Sequence, residues 1–201
     1  SQYTVVTGSV TYDTDHIIVT SYSQFYPSVL EGIPCYGARL HVKQPGVSGT
    51  MHNGSNSISF DFGSDLPSNR ISVSFYNGGN NTDRITASIQ IHGTADLTYF
   101  SIVTFESSED YFAFLANGYT IDLKIHNDGT FTISVPEASF SRLISSYPID
   151  VSKLTTCRIH TSGLKKPVHI YSLDVFPSIS YADDFSTDTT ERYQAVTGTV
   201  A

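Results

Sequence analysis

Between Asn117 and Val135 the chain reads NGYTIDLKIHNDGTFTISV. Ile121, Leu123 and Ile125 alternate with Asp122, Lys124 and His126. After Asn127-Asp128-Gly129 the alternation resumes through Phe131, Ile133 and Val135. A strand points successive side chains to opposite faces, so a period of two buries one set and wets the other. The Asp-Gly step supplies the backbone freedom that a tight reversal needs. The stretch is predicted to be a β-hairpin with one face in a core.

The same pattern recurs on either side. Strands are expected over 3–10, 16–22, 38–43, 57–62, 71–76, 84–92, 99–105, 119–126, 130–135, 154–160 and 168–176. Turn-forming runs separate them: QPGVSGTMHNGSN from Gln44, SDLPSN from Ser64, NGGNNTD from Asn77 and SGLKKP from Ser162. No segment holds a 3.6-residue apolar stripe for three turns, so no helix is expected. The fold class is all-β, a two-sheet antiparallel β-sandwich.

Composition agrees and narrows the function. Only 15% of the 201 residues are charged, against abundant Ser, Thr, Tyr, Phe, Val and Ile, the palette of strands. A net charge of −8 with no basic stripe argues against nucleic acid and anionic membrane as partners. No apolar run is long enough for membrane insertion. Two cysteines, Cys35 and Cys157, fit either one disulfide or two buried thiols. Sequons at Asn53 and Asn80 lie in Gly/Asn-rich loops and are candidate N-glycosylation sites. Together these features point to a secreted or cell-surface domain.

The ends of the chain echo each other. YTVVTGSVT from Tyr3 is matched by YQAVTGTVA from Tyr193, as if a second copy of the unit begins there. Tandem copies in a longer chain are the expectation, joined through the acidic, Thr-rich ADDFSTDTTER from Ala182.

No local motif announces catalysis. The sequence lacks G-x-S-x-G, H-E-x-x-H, a P-loop and G-x-G-x-x-G. DTDH at Asp13–His16 lacks the Gly and Glu of a calcium loop and is expected on a solvated strand edge. Glu106, Glu109 and Asp110 would serve a hydrolase only if two carboxylates faced each other across a cleft. The expectation is no catalytic residue, no metal, no cofactor and no enzyme.

From about Leu30 to Phe176 the order of elements resembles a galectin carbohydrate-recognition domain. The resemblance is carried by GIPCYGARLHV (Gly32–Val42), NSISFDFGSDLPSNRISVSFYN (Asn56–Asn77), YFAFLANGYTIDLKIHNDGTFTISV (Tyr111–Val135) and ASFSRLISSYPIDVSKLTTCRIHTSG (Ala138–Gly163). It implies a jelly-roll sandwich over residues 30–178, with an N-terminal β extension over 1–29. Residues 179–201 would be the acidic linker and the start of a repeated unit. The family's sugar-reading His-x-Asn-x-Arg triplet falls on Ser74, Tyr76 and Gly78, and the chain has no tryptophan. Amide, imidazole and guanidinium donors to galactose are thus missing, together with the ring that packs on the sugar.

On that alignment Ser74, Tyr76, Ser88 and Gln90 point outward from the concave face and are the candidate ligand-binding residues. A bridge between Cys35 and Cys157 would tie the first strands of the sandwich to its last. The expectation is an extracellular, non-enzymatic recognition or adhesion module that binds a protein partner or a non-galactoside glycan. The alternatives are a working lectin with a rebuilt site and, third, a glycan-acting hydrolase.

Overall fold

The computed structural model describes residues 3–20, 22–46, 57–62, 69–76, 84–90, 98–146, 148–164 and 166–177. Two seven-stranded antiparallel sheets make up this structure. In spatial order the first sheet runs β1 (Tyr3–Thr7), β4 (Gln24–Pro27), β13 (Cys157–Ser162), β6 (Ser57–Phe62), β7 (Asn69–Tyr76), β8 (Arg84–Gln90) and β9 (Thr98–Thr104). The second runs β12 (Phe140–Ile144), β11 (Phe131–Val135), β10 (Tyr119–Ile125), β5 (Cys35–Lys43), β14 (Val168–Pro177), β3 (Ile17–Val19) and β2 (Val10–Tyr12). The expected β-sandwich is what forms.

The hairpin that opened the reading is β10–β11. Its register runs from Asp122 opposite Ser134 to Ile125 opposite Phe131. Ile121, Leu123, Phe131, Ile133 and Val135 are wholly buried, as the alternation requires. The His126 amide donates to the Thr130 carbonyl at 2.8 Å, and the Gly129 amide to the His126 carbonyl at 2.9 Å. The Asp128 carboxylate accepts from the Thr130 amide and hydroxyl. Gly129 adopts φ 81°, and its carbonyl accepts from the Ile149 amide at 2.8 Å, which pins the turn to the segment leading into β13.

The core lies between the sheets. Phe25, Ile58, Phe60, Phe62 and Ile159 from the first pack with Leu40, Val42, Leu123 and Ile133 from the second. Removing each large side chain of this kind from water contributes roughly 1.5–3 kcal/mol before conformational entropy opposes it. The first thirty residues supply four strands, β1 and β4 at one end of the first sheet and β3 and β2 at the same end of the second. The terminal echo at Tyr193 and the linker within 179–201 lie outside the described residues.

Several elements differ from expectation. An α-helix, α1, spans Ser108–Asn117, where none was expected. Ser107 caps it by accepting from the Asp110 amide at 3.1 Å, and Gly118 ends it at φ 102°. Tyr111 and Leu115 form a buried i, i+4 pair, a stripe too short to meet a three-turn criterion. The strands β4 and β12 were also unexpected. In β4 Phe25 and Tyr26 are buried in succession, and in β12 only Ile144 is buried, so neither alternates.

At the edge of the second sheet the β2–β3 hairpin is held to β14 by rings. His16 stacks on His169 (centroids 4.8 Å apart) and on Tyr171 (4.7 Å), and His169 Nδ1 lies 2.9 Å from His16 Nε2. Burial, and then the neighbouring His16, hold the His169 proton affinity below its ordinary value. A base depressed in the folded state binds more protons when unfolded. Stability from this contact is therefore present above the unfolded value of about 6.5 and is lost as pH falls through the folded one.

Chemical denaturation between pH 8 and pH 5 should show this acid loss, and His169→Gln should flatten it; an unchanged slope would contradict it. Alanine at Gly129 must hold positive φ and place its Cβ 2.3 Å from the Ile149 carbonyl oxygen, whereas Gly32 has φ 73° and open space. Gly129→Ala is expected to lower stability by about 1–3 kcal/mol, clearly more than Gly32→Ala, in paired denaturant melts. Equal losses would mean that the close contact contributes nothing.

Candidate functional site

Strand register sorts the first sheet into two faces. Phe25, Ile159 and Phe60, each opposite the next, are buried in the core, and the register continues through Ile71 and Ile89. The outward positions are different in kind. One row crosses the sheet as Gln24, His160, Ser59, Ser72, Ser88 and Tyr99. A second reads Arg158, Asp61, Arg70 and Gln90, and a third Ser162, Ser57, Ser74, Thr86 and Ser101. Not one aliphatic residue falls on these three rows.

Ser74, Ser88 and Gln90, expected as ligand-binding residues, occupy these rows, and Tyr76 pairs with Arg84 at the end of β7. All four positions alternate in the ladder with the Val73 row; their side chains lie outside the described part of the structure. The sequons at Asn53 and Asn80 lie outside the described residues.

The residues that give this face its character are others. β6 is shielded on both sides: outward-facing Ser57, Ser59 and Asp61 are 8, 2 and 2% exposed. Tyr26, also outward, is buried. A shielded carboxylate is costly unless donors meet it. Gln24 Nε2 donates to Asp61 Oδ2 at 3.4 Å, and Arg158 stands opposite Asp61 in the ladder. The Arg158 guanidinium lies 6.0 Å over the Tyr26 ring centroid. Gln24, Asp61, Arg158 and His160 thus assemble from three neighbouring strands. SISFDF and CRIHTS each place a polar residue at every second position, but nothing in the sequence pairs β6 with β13.

The carboxylates weighed for hydrolysis do something simpler. Glu106, Glu109 and Asp110 are exposed at the start of α1. The Ser107 hydroxyl donates to Asp110 at 2.7 Å, and acidic groups favour a helix N-terminus. They follow one another along a single turn. Phe105 meets Tyr111 edge-on at 5.3 Å, and Tyr111 is fully buried, so these rings are core. Among the described residues no group of three or more His, Cys, Asp or Glu is arranged to hold a metal ion, and no helix is long and apolar enough to cross a membrane.

No protein-family model matches the sequence, and no curated protein matches it. Solved structures do share its architecture. The carbohydrate-recognition domain of Emp46p superposes with a TM-score of 0.57 at 11% identity, over 87% of this chain and 88% of that one. The exoplasmic/lumenal domain of VIP36, bound to Ca²⁺ and Man₃GlcNAc, gives 0.54 at 12% identity, over 87% and 83%. The fold is that of a lectin-like carbohydrate-recognition domain. An alginate lyase from Pseudomonas aeruginosa shares it too, at a TM-score of 0.56 and 7% identity, over 84% and 85%. At such identities the likeness is one of fold, and lectin and lyase are equally compatible with this lectin-like sandwich.

The cysteines sit beneath the site. Cys35 on β5 and Cys157 on β13 are wholly buried free thiols, one from each sheet. The Cys35 thiol donates to the Ile33 carbonyl at 3.2 Å, and its amide donates to the Thr155 carbonyl. Burial pushes both thiols up, Cys157 further, with Cys35 and Asp61 adding to the effect. Thiolates are the reactive form, so native protein at pH 8 should resist a thiol reagent while the denatured chain takes up two equivalents. Rapid labelling of the native state would contradict this burial.

Proposed function

We propose that this lectin-like domain is a non-enzymatic carbohydrate-recognition module. Its ligand, a glycan other than a β-galactoside, lies across the outer face of the first sheet. One observation carries the reading: Asp61, shielded from water on an all-polar face, with Gln24, Arg158 and His160 on the strands beside it. Sugar hydroxyls both donate and accept. The part-exposed Gln24, His160, Arg158 and Ser162 offer amide, imidazole, guanidinium and hydroxyl groups that meet both needs, with the shielded Asp61 beneath them as a partner for Gln24.

The structural neighbours support a sugar as the ligand class: one is a carbohydrate-recognition domain, and another holds a mannose-containing glycan. Recognition is assigned here to side chains alone. The sequons, and a neighbour described as exoplasmic/lumenal, support a setting in the secretory pathway or outside the cell. A protein partner, the other ligand expected from sequence, would be favoured by an apolar docking patch, and the rows on this face are polar instead.

A broad glycan array probed with the purified chain should give reproducible binding to one glycan class and none to lactose. Arg158→Ala and His160→Ala should each weaken the hit by about tenfold or more. Arg158→Ala, beside the shielded Asp61, should also lower the melting temperature, so His160→Ala, opposite Ser59, is the variant that separates binding from stability. A blank array, or a hit indifferent to both variants, would overturn the proposal.

A further inference from the structure

A second site lies away from this face, at the edge of the sandwich where β1, the β2–β3 turn and β14 meet. There an open cavity of ≈ 230 Å³ is lined by Tyr3, Tyr12, the turn Asp13–His16, Ile17 and Ile170–Leu173. We propose that this cavity binds a small organic cation carrying an alkylammonium group.

The lining dictates the sign of the ligand. It contains two carboxylates, Asp13 and Asp15, three tyrosines, and no Lys or Arg. The turn that presents the carboxylates is built to keep one of them ionised. Asp13 Oδ1 accepts from the Thr14 amide at 2.7 Å and from the Thr14 hydroxyl at 3.3 Å, which holds its pKa below the ordinary carboxylate range. Asp13 Oδ2 has His16 Nε2 at 3.8 Å, beyond hydrogen-bonding distance, so it can accept from a ligand.

Rings complete the cavity. Tyr3 and Tyr12 stand 6.2 Å apart at 35°, and Tyr12 is 55% exposed. Tyrosine faces carry negative charge density and attract cations within about 6 Å. The protein already uses this chemistry at the same place: Lys43 Nζ lies 4.9 Å over the Tyr171 ring, and His16 stacks against it. The floor of Ile17, Ile170 and Leu173 accepts the alkyl part. The described residues hold no cluster of three or more His, Cys, Asp or Glu for a metal ion.

The test is an amide chemical-shift titration of the full chain with tetramethylammonium and n-butylammonium chlorides, against matched sodium chloride, calcium chloride and glucose. The expected result is saturable shifts confined to residues 12–17 and 170–173, with a dissociation constant of roughly 1–10 mM. Tyr12→Ala and Asp13→Asn lie on the exposed rim. Each is expected to weaken binding by about five- to tenfold while the remaining spectrum stays in place. No shift beyond sodium chloride, the same shifts from calcium or glucose, or undiminished binding in both variants would overturn the assignment.

Discussion

One strand carries the account. β6, SISFDF, is buried along both faces, yet only Ile58, Phe60 and Phe62 are apolar. Its other three residues present two hydroxyls and a carboxylate to a space as dry as the core. Polar groups removed from water must find partners, and charges more so. Gln24 on β4 answers part of that demand by donating to Asp61, and Arg158 and His160 on β13 stand opposite Asp61 and Ser59 in the ladder. A face that needed only solubility would leave Asp61 in water.

The rest of the sandwich holds that sheet still. Phe25, Phe60 and Ile159 lock the underside of β4, β6 and β13 into the core, and β5 and β10 of the opposite sheet supply the surface against which they pack. Cys35 and Cys157 fill space between the sheets directly beneath this region, as buried thiols drawn from both. The edge strands β1 to β4 widen both sheets and create, where they meet, a cavity of different character. Its acidic and aromatic lining contrasts with the mixed donors and acceptors of the outer face. Two ends of one fold thus present two kinds of chemistry.

Much of the fold was legible because period-two alternation is a direct consequence of pleating. Ile121, Leu123 and Ile125 had to share a face, and they do. α1 was missed because its apolar signal is one buried i, i+4 pair, Tyr111 with Leu115, in ten residues. Its real markers were the Ser107 cap, the acids behind it and Gly118. β4 was missed because successive burial of Phe25 and Tyr26 erases alternation. For the site, family likeness led to Ser74, Tyr76, Ser88 and Gln90; Ser74, Ser88 and Gln90 fall in register with the three polar rows, and Tyr76 pairs with Arg84 beyond them. Asp61, Arg158 and His160 were invisible because their neighbourhood comes from strands about a hundred residues apart, which only the sheet order brings together.

The central claim is that the outer face of the first sheet reads a glycan. It is tested most directly by mapping amide shifts while titrating the best glycan found on an array. The account predicts saturable changes centred on Ser59, Asp61, Arg158 and His160, with β10 and β11 silent. Shifts confined to the second sheet, or no shifts at millimolar glycan, would contradict it.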